Sequence, residues 1–174
     1  MIERLLKGVE EVIARVPHCW LITVSQSGSV SARPMGRVAR GPTESDWTLS
    51  FLADSRSKKI RELRAAPGVQ LIFERAEEGF VTLAGSAAVI ADSATLEQRW
   101  QHSYDRIFPT AAEKANAVFI DIRAQEMRLW IRGLTPEPFG QQSLTLHRPL
   151  GGDWRIEPGD VASPAQAAKS DSRA

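Results

Sequence analysis

Four cations fall within six consecutive positions of this chain: Arg56, Lys58, Lys59 and Arg61. They follow Trp47–Ala53, where Trp47, Leu49, Phe51 and Ala53 alternate with more polar neighbours as in a half-buried strand. Asp54, Ser55 and Ser57 are candidate N-caps for a helix running from about Ser55 to Ala66, with Ile60 and Leu63 as its buried positions. The first turn of a helix carries partial positive charge and ordinarily attracts Asp and Glu. Cations gathered there repel one another unless an anion sits among them, and phosphate is the simplest such guest. Charge pattern alone is equally compatible with a solvated basic face. Neighbouring helical positions point about 100° apart, so only one of Lys58 and Lys59 is expected to touch a phosphate.

A second segment of interest is Ser31-Ala32-Arg33-Pro34-Met35-Gly36. Pro34 argues for a sheet edge or a bulge. Gly36 would let a ligand approach the backbone closely, and Arg33 by itself reads more readily as a surface cation of an edge strand. Other chemistries find little support. His18, His102 and His147 are scattered, and no HExxH, CxxC or carboxylate cluster is present, so no zinc site is expected. Cys19 has no evident base partner and reads as a small buried hydrophobe. No Gly-x-Ser-x-Gly elbow occurs, and Gly85-Ser86 reads as strand geometry rather than a phosphate loop.

The elements that must carry these residues follow from periodicity and punctuation. Ile2–Val16 is amphipathic, with Leu5, Val9, Val12 and Val16 on one stripe beside Leu6 and Ile13, and Pro17 ends it. His18–Ser25 is a strand with Trp20, Ile22 and Val24 on one face, and Val30–Val38 returns after the Gln26–Ser29 turn. Arg40–Asp46 is a loop. After the helix stopped by Pro67-Gly68, Val69–Phe73 is a strand and Phe80–Ile90 a longer one, bent or bulged at Gly85. A helix capped by Asp92 or Ser93 runs to about Tyr104. Phe108-Pro109 breaks it, and Thr110–Lys114 adds a turn. Asn116–Arg123 and Glu126–Arg132 are two further strands, and Ser143–Arg148 with Trp154–Ile156 forms a weak last hairpin. Trp20 and Trp47 are expected in the core. Trp100 is expected on a helix packing at an interface, and Trp130 is expected as a core or dimer-packing residue.

Six or more strands with three inserted helices give a mainly β protein, an antiparallel barrel with helices packed outside. Residues 1–156 are read as a single domain and 157–174, rich in Pro, Ala, Ser and charge, as a flexible tail. The net charge of +1 in 174 residues builds no strong field for nucleic acid or acidic membranes. No apolar run is long enough to span a bilayer. A single cysteine and the absence of a signal-peptide pattern suit the cytoplasm.

The landmarks Ala32–Gly36, Phe51-Leu52-Ala53 leading to Ser57-Lys58-Lys59, Glu62-Leu63 to Pro67-Gly68-Val69, Leu71-Ile72-Phe73, Phe80–Gly85 and Leu129-Trp130 occur in a familiar order. In that order the chain resembles the pyridoxamine 5′-phosphate oxidase-like flavoproteins, the FMN-binding split barrels, and within them the general stress protein 26-like branch. The resemblance implies a split β-barrel of about six antiparallel strands and a homodimer with FMN at the subunit interface. It places Arg33, Pro34, Met35, Gly36 and Arg37 along the isoalloxazine ring, with Arg33 reaching the phosphate and Arg37 a candidate near N1. Leu52 and Ala53 would contact the flavin, and Lys58 and Lys59 after Ser57 would take the phosphate. Phe80 stands where true oxidases place a flavin-contacting glutamine, and Trp130 where the second subunit offers a tryptophan. Ala53 replaces a Thr or Ser of many relatives. Trp130 is followed by Ile131-Arg132-Gly133-Leu134 rather than an Arg-Leu-His-type segment, so pyridoxine phosphate oxidation is not expected. The implied activity is FMN-dependent oxidoreduction of a small soluble substrate, with NAD(P)H as a candidate electron donor and a general-stress type role. The alternatives are a non-catalytic flavin-storing or sensing protein, and a split barrel for F420 or haem.

Overall fold

The computed structural model describes residues 1–38 and 47–157; the loop expected at 40–46 and the tail expected after Glu157 lie outside the described residues. In chain order the elements are α1 (Ile2–Arg15), β1 (His18–Val24), β2 (Val30–Gly36), β3 (Thr48–Asp54), α2 (Lys58–Ala65), β4 (Gly68–Arg75), β5 (Gly79–Ile90), α3 (Ser93–Arg99), α4 (Ala111–Lys114), β6 (Ala117–Ile131), β7 (Leu144–His147) and β8 (Arg155–Ile156). The eight strands form one sheet in the order β2-β1-β4-β5-β6-β7-β8, with β3 paired to β6, and the sheet is not closed. The architecture is therefore the mainly β, antiparallel one expected, with eight strands among the described residues rather than about six. No helix among these residues is long and apolar enough to cross a membrane.

Contacts group the chain into two compact units. Of the described residues, one comprises Met1–Val16, Phe73–Leu83 and 125–157; the other comprises 17–38, 47–72 and Ala84–Ala124. In the first, α1 buries Leu5, Val9, Val12 and Ile13, the stripe its 3.6-residue period predicts. In the second, Leu21, Phe51, Ile60, Leu71 and Ile120 are fully buried, each worth about 1.5–3 kcal/mol of transfer free energy. A further lock joins α3 to the β3–β6 pair. The Arg99 guanidinium donates to both Asp121 carboxylate oxygens at 2.9 Å and to Ser50 Oγ at 2.9 Å, and lies 4.2 Å from the Phe119 ring centroid.

Several expectations are corrected. Trp20, Ile22 and Val24 do share a face, but it is the outer one. Trp20 is 49% exposed, while Cys19, Leu21 and Thr23 point inward. Pro34 sits on the edge strand β2, as its missing N–H requires. The helix expected to reach Tyr104 ends at Arg99. A 3-10 turn follows at His102–Arg106, and Trp100, just past the helix end, packs within the protomer against Tyr104 and Phe108. The two strands read at 116–132 are one, β6. Ala117–Ile120 are all buried; from there the buried positions are Ile122 and Ala124, then Met127, Leu129 and Ile131, so the alternation shifts from even to odd and mimics a break.

Gly85 marks a close approach. A Cβ built there overlaps the Arg123 carbonyl oxygen and lies 2.8 Å from its carbon. Backbone cannot swing aside as a side-chain end can, so Gly85→Ala is expected to destabilise the fold by about 1–3 kcal/mol. A denaturant midpoint equal to that of the parent would refute this.

Candidate functional site

The site is built where β3 hands over to α2. β3 ends at Asp54, and the chain turns through Ser55, whose N–H donates to the Asn116 carbonyl at 2.8 Å. Asp54 is spent on that turn. Its carboxylate accepts the Arg56 backbone N–H at 2.8 Å and the Arg56 guanidinium at 2.7–3.3 Å. The Arg56 hydrogen bonds hold the Asp54 carboxyl down at about 2. Arg61 donates to the Arg56 carbonyl at 2.9 Å. Two of the four clustered cations therefore fold the junction.

The helix begins at Lys58, later than Ser55, with Ser57 at the N-cap position. Ser57 makes no capping bond, and its buried Oγ has no hydrogen-bond partner among the described residues. The first turn contains no acid, so its N–H groups face no built-in anion. A buried hydroxyl left unpaired costs free energy that a bound oxyanion would relieve.

Lys58 and Lys59 diverge, as the helical geometry requires. Lys58 is exposed; its Nζ lies 3.5 Å from Glu62 Oε1 and 3.4 Å from Ser31 Oγ. Lys59 is half-buried, and among the described residues no carboxylate lies within ion-pair distance of it. Burial, then the nearby Arg33 charge, pushes its ammonium below the ordinary 10.5, while Asp54 opposes that shift.

Arg33 reaches the same junction from β2. Its Nη1 donates to Thr23 Oγ1 at 2.6 Å and its Nη2 to Glu62 Oε2 at 3.0 Å. Thr23 in turn donates to Glu62 Oε2 at 2.6 Å. Glu62 is only 6% exposed, so β1, β2 and α2 are tied together through one carboxylate. The Thr23 hydrogen bond is the main reason the Glu62 carboxyl sits below its ordinary 4.5; burial opposes it, and Arg33 and Lys58 add to it.

Sequence reasoning missed this carboxylate. The available signal was its place four residues after Lys58 and three after Lys59. Thr23 was missed because the inner face of β1 was assigned to the wrong parity.

The remaining candidates separate by strand alternation. Met35 is buried on the face of β2 that carries Arg33, whereas Pro34 and Gly36 face outward and exposed. There they join Trp20, Val24 and Val30 in an apolar patch, with Trp20 opposite Pro34 and Val24 opposite Val30. Arg37, half-buried beyond the end of β2, bridges to Phe51. Its charge draws the Cys19 thiol down, but burial dominates and pushes that thiol up to about 12, as suits an inert buried cysteine. Ala53 is buried and Leu52 half-buried on the other face of β3.

Phe80 and Trp130 belong to the other unit. There Phe80 stacks on Phe139 with ring centroids 6.5 Å apart. Trp130 is half-buried, and its side chain has no ring or hydrogen-bond partner among the described residues.

A cofactor phosphate fits the β3–α2 junction. Among the described residues Lys59 has no carboxylate within ion-pair distance and the buried Ser57 hydroxyl has no hydrogen-bond partner, and the Arg33 charge is close enough to act on Lys59.

Comparison with known proteins agrees with this fold. The chain is similar to a pyridoxamine 5′-phosphate oxidase-related, FMN-binding protein of Nostoc punctiforme, at 16% identity over 89% of this chain and 94% of that one, with a TM-score of 0.66. It is also similar to a Clostridium acetobutylicum protein related to general stress protein 26, at 13% identity over 83% and 95% of the two chains, with a TM-score of 0.68. An F420 reductase matches at 21% identity over 68% and 94%, with a TM-score of 0.52. No curated protein matches. The family model for pyridoxamine 5′-phosphate oxidase-like proteins matches residues 5–135, three quarters of the sequence. The chain belongs to the pyridoxamine 5′-phosphate oxidase-like family.

Proposed function

We propose that this protein is an FMN-binding oxidoreductase that works as a homodimer on a small soluble substrate, in a general-stress type role in the cytoplasm. One observation carries the reading: the half-buried Lys59 ammonium has no carboxylate within ion-pair distance among the described residues and stands near the Arg33 charge. A dianionic phosphate monoester would restore the balance, with Ser57 Oγ and the first N–H groups of α2 as further donors. Lys58 and Arg33 would add charge from the two sides of Glu62.

The flavin ring, when bound, supplies the electron-transfer chemistry. The chain's own residues hold and orient it. Leu52, Ala53 and Met35 offer apolar contact, and Arg37 offers positive charge toward the ring. The exposed backbone at Pro34 and Gly36 is open to a ligand or a second subunit. Phe80 and Trp130 keep the flavin-facing roles that the family resemblance implies. The apolar outer face of β1 and β2, with Trp20, Val24 and Val30 exposed, supports a second copy as partner.

The test is the visible spectrum of the purified protein together with its mass in solution. Flavin absorption, bleaching by NADH or NADPH, reoxidation by an added acceptor and a dimer mass are expected. Flavin bands that no donor bleaches would reduce the reading to flavin storage or sensing. A colourless protein that takes up F420 but not FMN would overturn it.

A further inference from the structure

A groove of about 410 Å³ opens within the unit that contains α1. Its floor is apolar, formed by Val12, Ile131 and Leu134. Its rim carries four guanidinium groups, from Arg4, Arg15, Arg75 and Arg132. Arg4 and Arg15 stand about three turns apart and so share one stripe of α1.

One end of the groove already holds an oxyanion. Glu78 Oε2 lies 2.6 Å from Arg75 Nη1 and 3.9 Å from Arg15 Nη1. The remaining two arginines have no carboxylate within ion-pair distance among the described residues. Arg132 is nonetheless held in place: its Nε donates to the Glu77 carbonyl at 2.9 Å, and its guanidinium lies 4.4 Å from the Phe139 ring centroid. Its terminal amino groups are left for a ligand. Four arginines against Glu11 and Glu78 leave the lining two positive charges in excess.

We propose that this groove is a second anion site, separate from the β3–α2 junction, which takes an organic phosphate monoester. The phosphate would pair with Arg4 and Arg132, and the apolar body would lie on Val12, Ile131 and Leu134. Guanidinium suits this task because its planar fork offers two parallel donors to one oxyanion. The inference does not depend on the identity of the cofactor.

The experiment is isothermal titration of the full chain with phenyl phosphate, with inorganic phosphate and phenol as the two half-ligands. Saturable binding of phenyl phosphate, tighter than either half, is expected. Arg4→Gln with Arg132→Gln should weaken it by roughly tenfold or more, since two charge-assisted contacts are lost. Both side chains are exposed, so the double variant should fold, which circular dichroism will check. Lys59→Ala, which weakens any phosphate binding at the β3–α2 junction, should still show a saturable phenyl phosphate site that the Arg4 and Arg132 changes weaken. Equal affinity in the Arg4/Arg132 variant, loss of binding in the Lys59 variant, or no saturable heat with the parent would each overturn the proposal.

Discussion

Replacing Lys59 and Arg33 together with alanine is expected to weaken FMN binding by on the order of 2–5 kcal/mol, the worth of two charge-assisted phosphate contacts. Riboflavin, which lacks the phosphate, should bind the double variant as it binds the parent. The two residues contribute differently. Lys59 has no carboxylate partner among the described residues, so Lys59→Ala alone is the cleaner measurement. Arg33→Ala also takes a donor from both Glu62 and Thr23, so its effect mixes lost attraction with a disturbed site.

The pH dependence has a definite sign. Burial and Arg33 hold the Lys59 pKa below 10.5 in the free protein, and a bound dianion favours the charged ammonium. FMN affinity should therefore fall as pH rises through that lowered pKa, and Lys59→Ala should abolish the fall. The free protein should behave oppositely. Its unfolded chain keeps the Lys59 proton to higher pH, so stability rises with pH across the interval between the folded and unfolded values. Fluorescence titrations with FMN and riboflavin across that range decide the matter. A double variant that binds FMN like the parent would place the phosphate elsewhere.

Glu62→Ala should lower folding stability by on the order of 2–4 kcal/mol. The cost comes from the partners left behind. Arg33, with 21% of its side chain exposed, loses its carboxylate, and the inward Thr23 hydroxyl loses its acceptor. Glu62→Gln should cost less, because the amide oxygen can still accept from Thr23. The Glu62 carboxyl is held below 4.5 in the fold, so its contribution is complete above the unfolded value and is lost as pH falls through the folded one. The glutamine variant should lack that part of the acid loss. Urea denaturation of the three proteins at neutral and acidic pH makes the comparison. An unchanged midpoint for Glu62→Ala would mean that the carboxylate does not hold β1, β2 and α2 together.

Much of this molecule is visible in local pattern. The stripe of α1, the alternation of β3, the stop at Pro67-Gly68 and the cations at the start of α2 all follow from spacing along the chain, because helix and strand periods are properties of a few neighbouring residues. The ordered landmarks from Arg33 to Trp130 were enough to indicate the family. Periodicity does not say which face of β1 is inside. By hydrophobicity Trp20, Ile22 and Val24 outrank Cys19, Leu21 and Thr23, yet the second set is buried, since α2 places Glu62 against Thr23. Nor does local pattern show that β6 is one strand, because its buried parity shifts without a Gly or Pro to mark the change.

The chemistry of the cation cluster needed three-dimensional neighbours. Arg56, Lys58, Lys59 and Arg61 are equivalent as letters. In the fold, Arg56 is tied to Asp54, Lys58 lies beside Glu62 and Arg61 bonds the Arg56 carbonyl, while the Lys59 ammonium has neither an ion-pair nor a hydrogen-bond partner among the described residues. Pairing of this kind joins Glu62 to Thr23, 39 positions away, and to Arg33, 29 positions away. Electrostatic energy depends on distance and burial rather than on order along the chain, so the difference among these four cations emerges when the strands meet the helix.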